Sequence, residues 1–436
     1  MEKNSCFSFF FRTFVPMMKI NQATLDYIRK NTEADIHQLA LRGTKDPEVD
    51  LIFALDQIAG RQKARMKLPT WAAIDGIIYP PHLSMEQCSN ELTARYKASV
   101  SSPQEDEVRG GNRLLVDLTG GFGVDFAFMA KNYDRAVYIE RQPQLCTISS
   151  ENFRLLGIPS EVVNADGIDY LHQLDHADLI YIDPARRNEH GGRTYGIADC
   201  TPNVLELMDE LMTKTDRLLL KLSPMLDWRK AVADINGKSC TQVTTVHIVS
   251  VENECKELLI EMNSEKRKVK STEPSLCVVC VNLFSDGSEE RFDFESPSAS
   301  TYHSSSSAST YHSSLITHHY LLLPNASIMK AGCFELLSVR YGVMQLDKNS
   351  HLFVSDRDVP DFPGRRFIIE HTTSMNKREL KDALSGIDRA NITVRNFPLS
   401  VSELRKRLKL KDGGNIYIFA TTVQEVGLQL FICRKY

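Results

Sequence analysis

A chain of 436 residues exceeds one ordinary domain, and two to four are expected. Its 42% hydrophobic and 25% charged residues are those of a soluble globular protein, and no segment reaches the roughly 18 apolar residues of a membrane span. A net charge of -4 excludes a polycation, so any nucleic-acid surface must be local.

In chain order, the first 18 residues are an extension of uncertain role. They resemble a signal peptide only faintly, because Arg12 interrupts a short apolar run and no small-residue cleavage site follows. Met17 and Met18 are alternative starts. Residues 19–105 read as a helical domain. TEADIHQLALRG has a predicted cap at Thr32 and a stop at Gly43. In DPEVDLIFALDQIAG, Asp46 before Pro47 predicts the next start. SMEQCSNELTARYKA reads as a third helix, and SPQEDE as a linker.

Over residues 106–295 the rhythm changes. RLLVDLT, AVYIER, SEVVNAD, ADLIYIDP and RLLLKLSP alternate with helical stretches, which predicts an α/β fold with a parallel sheet. QVTTVHIVSVENE and KELLIEMN follow as an antiparallel hairpin, with SLCVVCVNLF and RFDFE as further strands. Cys277 and Cys280 sit three apart on one of these strands and point to opposite faces, so they are poorly placed to share a metal. Ten cysteines without a framework suit reduced thiols in a cytosolic protein. Residues 296–319 carry SASTYHSS twice, a serine-rich insertion predicted to be disordered; His303 and His312 lack acid or cysteine partners, and no metal is expected. Residues 320–362 read as a strand followed by a helix, and residues 363–436 as a small α+β module.

The stretch LLVDLTGGFGVDFAFMA raises the chemical question. Glycine after a buried strand lets the backbone bend and approach a ligand at the carboxyl ends of the strands. A nicotinamide dinucleotide wants a third glycine, but Phe126 stands where it would fall after Gly121 and Gly123. Asp117 precedes the turn, and an acid there repels a pyrophosphate and suits a cation. S-adenosylmethionine carries a sulfonium and an ammonium and no phosphate, so the electrostatics favour the methyl donor. Glu140 ends the next strand, where an acid can bind ribose hydroxyls. Asp166 ends the third, suited to an adenine amino group, and Asp183 ends the fourth.

VDLTGGFGVD, YIER, NADGIDYL and IDPARR in that order resemble a class I S-adenosylmethionine-dependent methyltransferase. PNASIMKAGCFELLS and the tail ANITVRNFPLSVSELRKRLKLKDGGNIYIFATT are similar to a bacterial group of such enzymes with a small ferredoxin-like segment and a C-terminal THUMP-like domain. QIAGRQKARMKLPTW and VENECKELLI resemble the same group. The resemblance implies a Rossmann-like methyltransferase sheet between a helical N-terminal domain and two small C-terminal modules. It implies that Asp117, Gly120, Gly121, Gly123, Glu140 and Asp166 bind the donor, and that Asp183 and Pro184 shape the acceptor pocket.

Related enzymes often place an aromatic residue after such an Asp-Pro pair; here Ala185 and Arg186 follow, which weakens the case for a planar amine acceptor and leaves Arg186 for a stack or a phosphate contact. Cys200 reads as incidental, and Lys221 and Ser223 as the exit of the fifth strand. THUMP-type domains are associated with RNA. Arg405, Lys406, Arg407, Lys409 and Lys411 crowd one predicted helix, capped by Ser400 with Glu403, and Arg365, Arg366 and Arg395 lie on strands. Arg61, Lys63, Arg65 and Lys67 form a second basic cluster. The expected activity is methylation of an RNA base, in tRNA or rRNA, in the cytoplasm and without membrane or metal. The alternatives are a protein or small-molecule acceptor, or a non-catalytic RNA-binding protein.

Overall fold

The computed structural model describes residues 20–103, 112–186, 196–238, 242–264, 276–296 and 319–436. The predicted N-terminal extension, the serine-rich repeat with its two histidines, most of SPQEDE and Arg187 lie outside them. The chain divides into two compact units, one of residues 1–247, 256–277 and 295–300, the other of 248–255, 278–294 and 301–436.

The first unit opens with helices α1 (Gln22–Lys30), α2 (Ile36–Arg42), α3 (Leu51–Lys67), α4 (Pro69–Ala72), α5 (His82–Gln87) and α6 (Glu91–Ser101). Two predicted caps move. The cap of α2 is Asp35, which accepts from Gln38 N, while Thr32 donates back to Ile28 O and closes α1. Asp50 caps α3, and Asp46 instead folds onto Glu48 N in a tight turn. In both cases a short acid lay nearer the apolar periodicity than the predicted cap, and burial of that stripe chose it. Gly43 ends α2 with φ +65, as predicted. SMEQCSNELTARYKA is two helices, because Asn90 accepts from Thr93 N and starts α6.

The sheet follows with β1 (Leu114–Asp117), α7 (Val124–Met129), β2 (Arg135–Glu140), α8 (Pro143–Leu156), β3 (Glu161–Asn164), α9 (Gly167–Gln173) and β4 (Ala177–Ile182). Then come β5 (Ala185–Arg186), β6 (Cys200–Thr201), α10 (Val204–Thr213), β7 (Thr215–Leu222), α11 (Trp228–Asn236), β8 (Val243–Val251) and β9 (Glu254–Asn263). Consecutive strands lie in the order β8-β9-β7-β4-β1-β2-β3. Pairs from β7 to β3 are parallel and β9 runs antiparallel to β7. Every predicted strand of this region is present. Strand order reverses between β1 and β4, which opens a crevice above their carboxyl ends. The helices pack onto the same unit: Asn152 of α8 exchanges two 2.8 Å hydrogen bonds with the backbone of Ile78.

In the second unit β10 (Leu276–Leu283) and β11 (Glu289–Ser296) form a hairpin, and on β10 Cys280 is buried where Cys277 is half-buried. The remaining elements are β12 (Tyr320–Pro324), α12 (Ala326–Ala331), α13 (Phe334–Tyr341), β13 (Met344–Gln345), β14 (Phe353–Ser355), β15 (Gly364–Ser374), α14 (Lys377–Ala383), β16 (Asn391–Arg395), α15 (Val401–Leu408), β17 (Ile416–Val423) and β18 (Gly427–Lys435). The single helix predicted after β12 is two, broken at Gly332, whose φ is +68. The two predicted C-terminal modules share one seven-stranded sheet, ordered β13-β14-β12-β15-β18-β17-β16. β12 pairs with β15 from Tyr320 opposite Ile368 to Pro324 opposite Gly364. The capping box at Ser400 forms as predicted.

Candidate functional site

A cavity of about 660 Å³ opens at the strand-order reversal, within the usual range for a small-molecule site. Asp117, Gly120, Gly121, Gly123, Glu140, Asp166, Asp183 and Pro184 all line it, so eight residues from four strand ends meet there. The glycines divide by role. A Cβ on Gly120 would lie 2.3 Å from the Tyr138 ring, and one on Gly123 2.5 Å from Phe153. These two admit buried rings beneath the turn, a requirement of packing. Gly121, at φ +58, would bring a Cβ no closer than 3.8 Å to Thr119 O, and it is the glycine that leaves room for a ligand.

Three carboxyl groups define one end. Asp117 is 1% exposed and accepts from Thr119 N at 2.9 Å. Burial, then the nearby Asp125 and Asp183 charges, push its carboxyl up to about 8 against the pull of the Thr119 bonds. It is a buried acid that a cation would ionise. Glu140 accepts from Gly121 N at 2.9 Å and Gln142 N at 2.8 Å, so it fastens the glycine turn to the end of β2. Each of its oxygens keeps a second lone pair for a hydroxyl donor. Asp166 is exposed and caps α9 through one oxygen, accepting from Ile168 N at 2.8 Å.

The other end is built differently. Asp183 is 38% exposed, and Lys221 Nζ stands 2.6 Å from its Oδ2. Lys221 also reaches Ser89 Oγ at 3.1 Å and Asp125 Oδ2 at 3.5 Å. Asp125 lies 3.2 Å from Lys97, a fully buried lysine whose Nζ donates to both oxygens of Glu257 at 2.5 and 2.7 Å. A chain of alternating charges therefore runs Asp183, Lys221, Asp125, Lys97, Glu257. Burial pushes Asp125 up, yet Lys97 and Lys221, with hydrogen bonds from Tyr181 and Ser89, draw it down to about 2. Burial likewise opposes the charge on Lys221, but Asp183, Asp125 and Glu257 hold it above the usual lysine range. Thr119 joins the two ends: its hydroxyl donates to Asp117 at 3.3 Å and accepts from Asp183 N at 2.7 Å.

Sequence reasoning missed most of this chain. Lys221 was read as a strand exit, and Lys97, Asp125, Ser89 and Glu257 drew no attention. Their signal was available only in part: charged residues at apolar positions of predicted buried elements, such as Lys221 within RLLLKLSP and Glu257 within KELLIEMN. Cys200, read from the sequence as incidental, lies on β6, which pairs with β5, and its buried side chain lines the cavity. The backbone of Arg186 lies opposite Cys200 on β5.

The basic residues of the tail fall into two sets. Arg366 pairs with Asp358 and covers the Tyr436 ring at 4.4 Å; Arg405 donates to Ala390 O and pairs with Asp412. Arg395 is half-buried. Arg365, Lys406, Arg407, Lys409 and Lys411 are exposed. The N-terminal basic cluster is neutralised: Arg61 pairs with Asp75, Lys63 with Glu86 and Arg65 with Glu33, while Lys67 donates to Met85 O and Glu86 O. Among the described residues no group of three or more His, Cys, Asp or Glu could hold a metal ion, and no helix is long and apolar enough to cross a membrane.

The strand order, the glycine turn and the acid-lined crevice define a class I methyltransferase fold. Residues 320–363 match a ferredoxin-like domain family and residues 364–435 a THUMP domain-like family. A crystal structure of a candidate methyltransferase from Porphyromonas gingivalis W83 is 30% identical, with a TM-score of 0.78 over 96% of this chain and 100% of that one. The chain belongs to the methyltransferase family of that protein. A candidate class I S-adenosylmethionine-dependent methyltransferase from Listeria monocytogenes is 11% identical over 60% of this chain and 94% of its own, with a TM-score of 0.38. An rRNA methylase from Streptococcus thermophilus is 13% identical over 39% of this chain and 94% of its own, with a TM-score of 0.29. Among curated proteins none matches the chain.

Proposed function

We propose that the protein transfers the methyl group of S-adenosylmethionine to RNA. The observation that carries the donor is the cavity whose one end holds Asp117, Glu140 and Asp166 with, among the described residues, no cation as a hydrogen-bond partner. In this reading Asp117 faces the donor's positive charge, Glu140 accepts from ribose hydroxyls, and Asp166 turns its open oxygen to the adenine amino group. Gly120 and Gly123 hold the turn in shape, and Gly121 lets the ligand approach. Bound there, the donor supplies an electrophilic methyl carbon; Asp183 and Pro184, followed by Arg186 on the short strand β5, frame the acceptor. The RNA reading rests on the THUMP domain-like match and on the exposed cations of α15 and β15. Arg365, Lys406, Arg407 and Lys409 would touch phosphates, while Arg366, Arg395 and Arg405 would shape the surface behind them.

The proposed modules are a helical domain at 19–105, a methyltransferase domain at 106–295, a ferredoxin-like segment at 320–362 and a THUMP-like domain at 363–436, working in the cytoplasm. Calorimetry with S-adenosylmethionine tests the donor site: Asp117→Ala and Glu140→Ala are expected to abolish measurable binding, and unchanged binding would refute it. Labelled donor added to the protein with fractionated cell extract tests the acceptor. Label is expected in RNA, and label confined to protein or small molecules would overturn that part.

A further inference from the structure

The acceptor end of the cavity narrows the acceptor atom, on the premise that RNA is the substrate. Asp183 can take a proton from an incoming nucleophile, because it is part-exposed and, among the described residues, its Oδ2 alone accepts a hydrogen bond, from Lys221. What Lys221 does to the transition state depends on the nucleophile. An amine becomes positive as it attacks the methyl carbon, and a fixed ammonium behind Asp183 opposes that charge. A hydroxyl becomes negative as its proton leaves, and the same ammonium favours it. Lys221 is held in this place, since it donates to Asp183 and Ser89 and stands 3.5 Å from Asp125, which is anchored in turn by Lys97.

A second observation points the same way. An extruded base is read by stacking as well as by hydrogen bonds. Among the described residues the rings in the cavity wall are engaged elsewhere: Phe122 is buried edge-on against Trp71 at 5.2 Å, and Tyr181 is buried with its hydroxyl donated to Asp125 at 2.8 Å. Among the described residues, Pro184, Ala185, Pro202 and Pro224 also line the cavity and offer no aromatic face.

We infer that the acceptor is a ribose 2′-hydroxyl of RNA and that Lys221 is the positioning residue that makes the site selective for oxygen. In the step, the hydroxyl oxygen forms a bond to the methyl carbon as the carbon–sulfur bond breaks. The bonding pair stays on sulfur, giving the neutral thioether, and the hydroxyl proton passes to Asp183 and then to water.

The full-length protein with labelled S-adenosylmethionine and RNA from cells lacking the gene gives the test, followed by alkaline hydrolysis. A 2′-O-methyl group blocks cleavage at its own nucleotide, so label is expected in alkali-resistant dinucleotides. Label in mononucleotides would mean base methylation, overturning this inference while leaving RNA methylation intact. No label in RNA would overturn both. Lys221→Met is expected to cut transfer about 100-fold, the scale for losing one preorganised electrostatic group, with donor affinity by calorimetry unchanged. Lys221→Arg keeps the charge, controls for misfolding, and is expected to restore most of the transfer. Wild-type transfer by Lys221→Met would refute the role of the lysine.

Discussion

The two ends of the cavity use the same residue type for opposite purposes. At the donor end Asp117 and Glu140 take hydrogen bonds from backbone N–H groups and Thr119, and among the described residues no cation is hydrogen-bonded to them. At the acceptor end Asp183 and Asp125 are interleaved with Lys221 and Lys97. A carboxylate without a counter-ion in a buried place is an unfilled demand for positive charge. One already paired is a fixed dipole that can orient a neutral nucleophile and receive its proton. The difference teaches that the ligand's charge is written in what the acids lack.

The largest way to break this contrast is to remove its buried cation. Lys97→Met leaves Asp125 and Glu257 without their shared partner, and stability in denaturant unfolding is expected to fall by about 3–5 kcal/mol. A loss under 1 kcal/mol would mean that the charge chain does not hold the acceptor end together.

At the donor end the expected effect is on binding. The Asp117 carboxyl, raised to about 8 by burial and its acidic neighbours, is neutral below that pH and ionised above it. A cationic ligand needs the ionised form, so donor affinity is expected to rise with pH up to about 8. Between pH 8 and pH 6 it would drop about 50-fold, the slope approaching tenfold per unit below pH 7. Calorimetry across that range checks the slope. Asp117→Asn is expected to be weak at every pH and to flatten the profile.

Gly123→Ala tests the packing beneath the turn. At φ +77, with Phe153 in the path of the new methyl, it is expected to cost about 1–3 kcal/mol in thermal unfolding. The smallest effects belong to exposed charges. Lys406→Ala and Arg407→Ala are each expected to weaken RNA binding several-fold and to lower the salt slope by about 1, with donor affinity unmoved. Binding isotherms at several salt concentrations check this.

Much of the fold was legible in the sequence because the parallel strands are short apolar runs, several of them ending in an acid, as in LIYID and VYIE. The helical region was less so. Several acids, amides and hydroxyls preceded each apolar stripe, and tertiary burial selected Asp35 and Asp50 over Thr32 and Asp46. At the site, the residues beside the glycine turn could be found because local order places them there. The charge chain could not, because Lys97, Asp125, Lys221 and Glu257 come from four distant segments that only the folded sheet joins. The basic clusters looked alike in sequence; their acidic partners, Glu33, Asp75 and Glu86 for one and Asp358 and Asp412 for the other, decide which cations remain open.

The most direct test of the central claim is a crystal structure of the protein soaked with S-adenosylhomocysteine. The account predicts the adenosine between Glu140 and Asp166, with the amino-acid end of the ligand beside Asp117 and the glycine turn. Density for the ligand anywhere else, or none at saturating concentration, would contradict it.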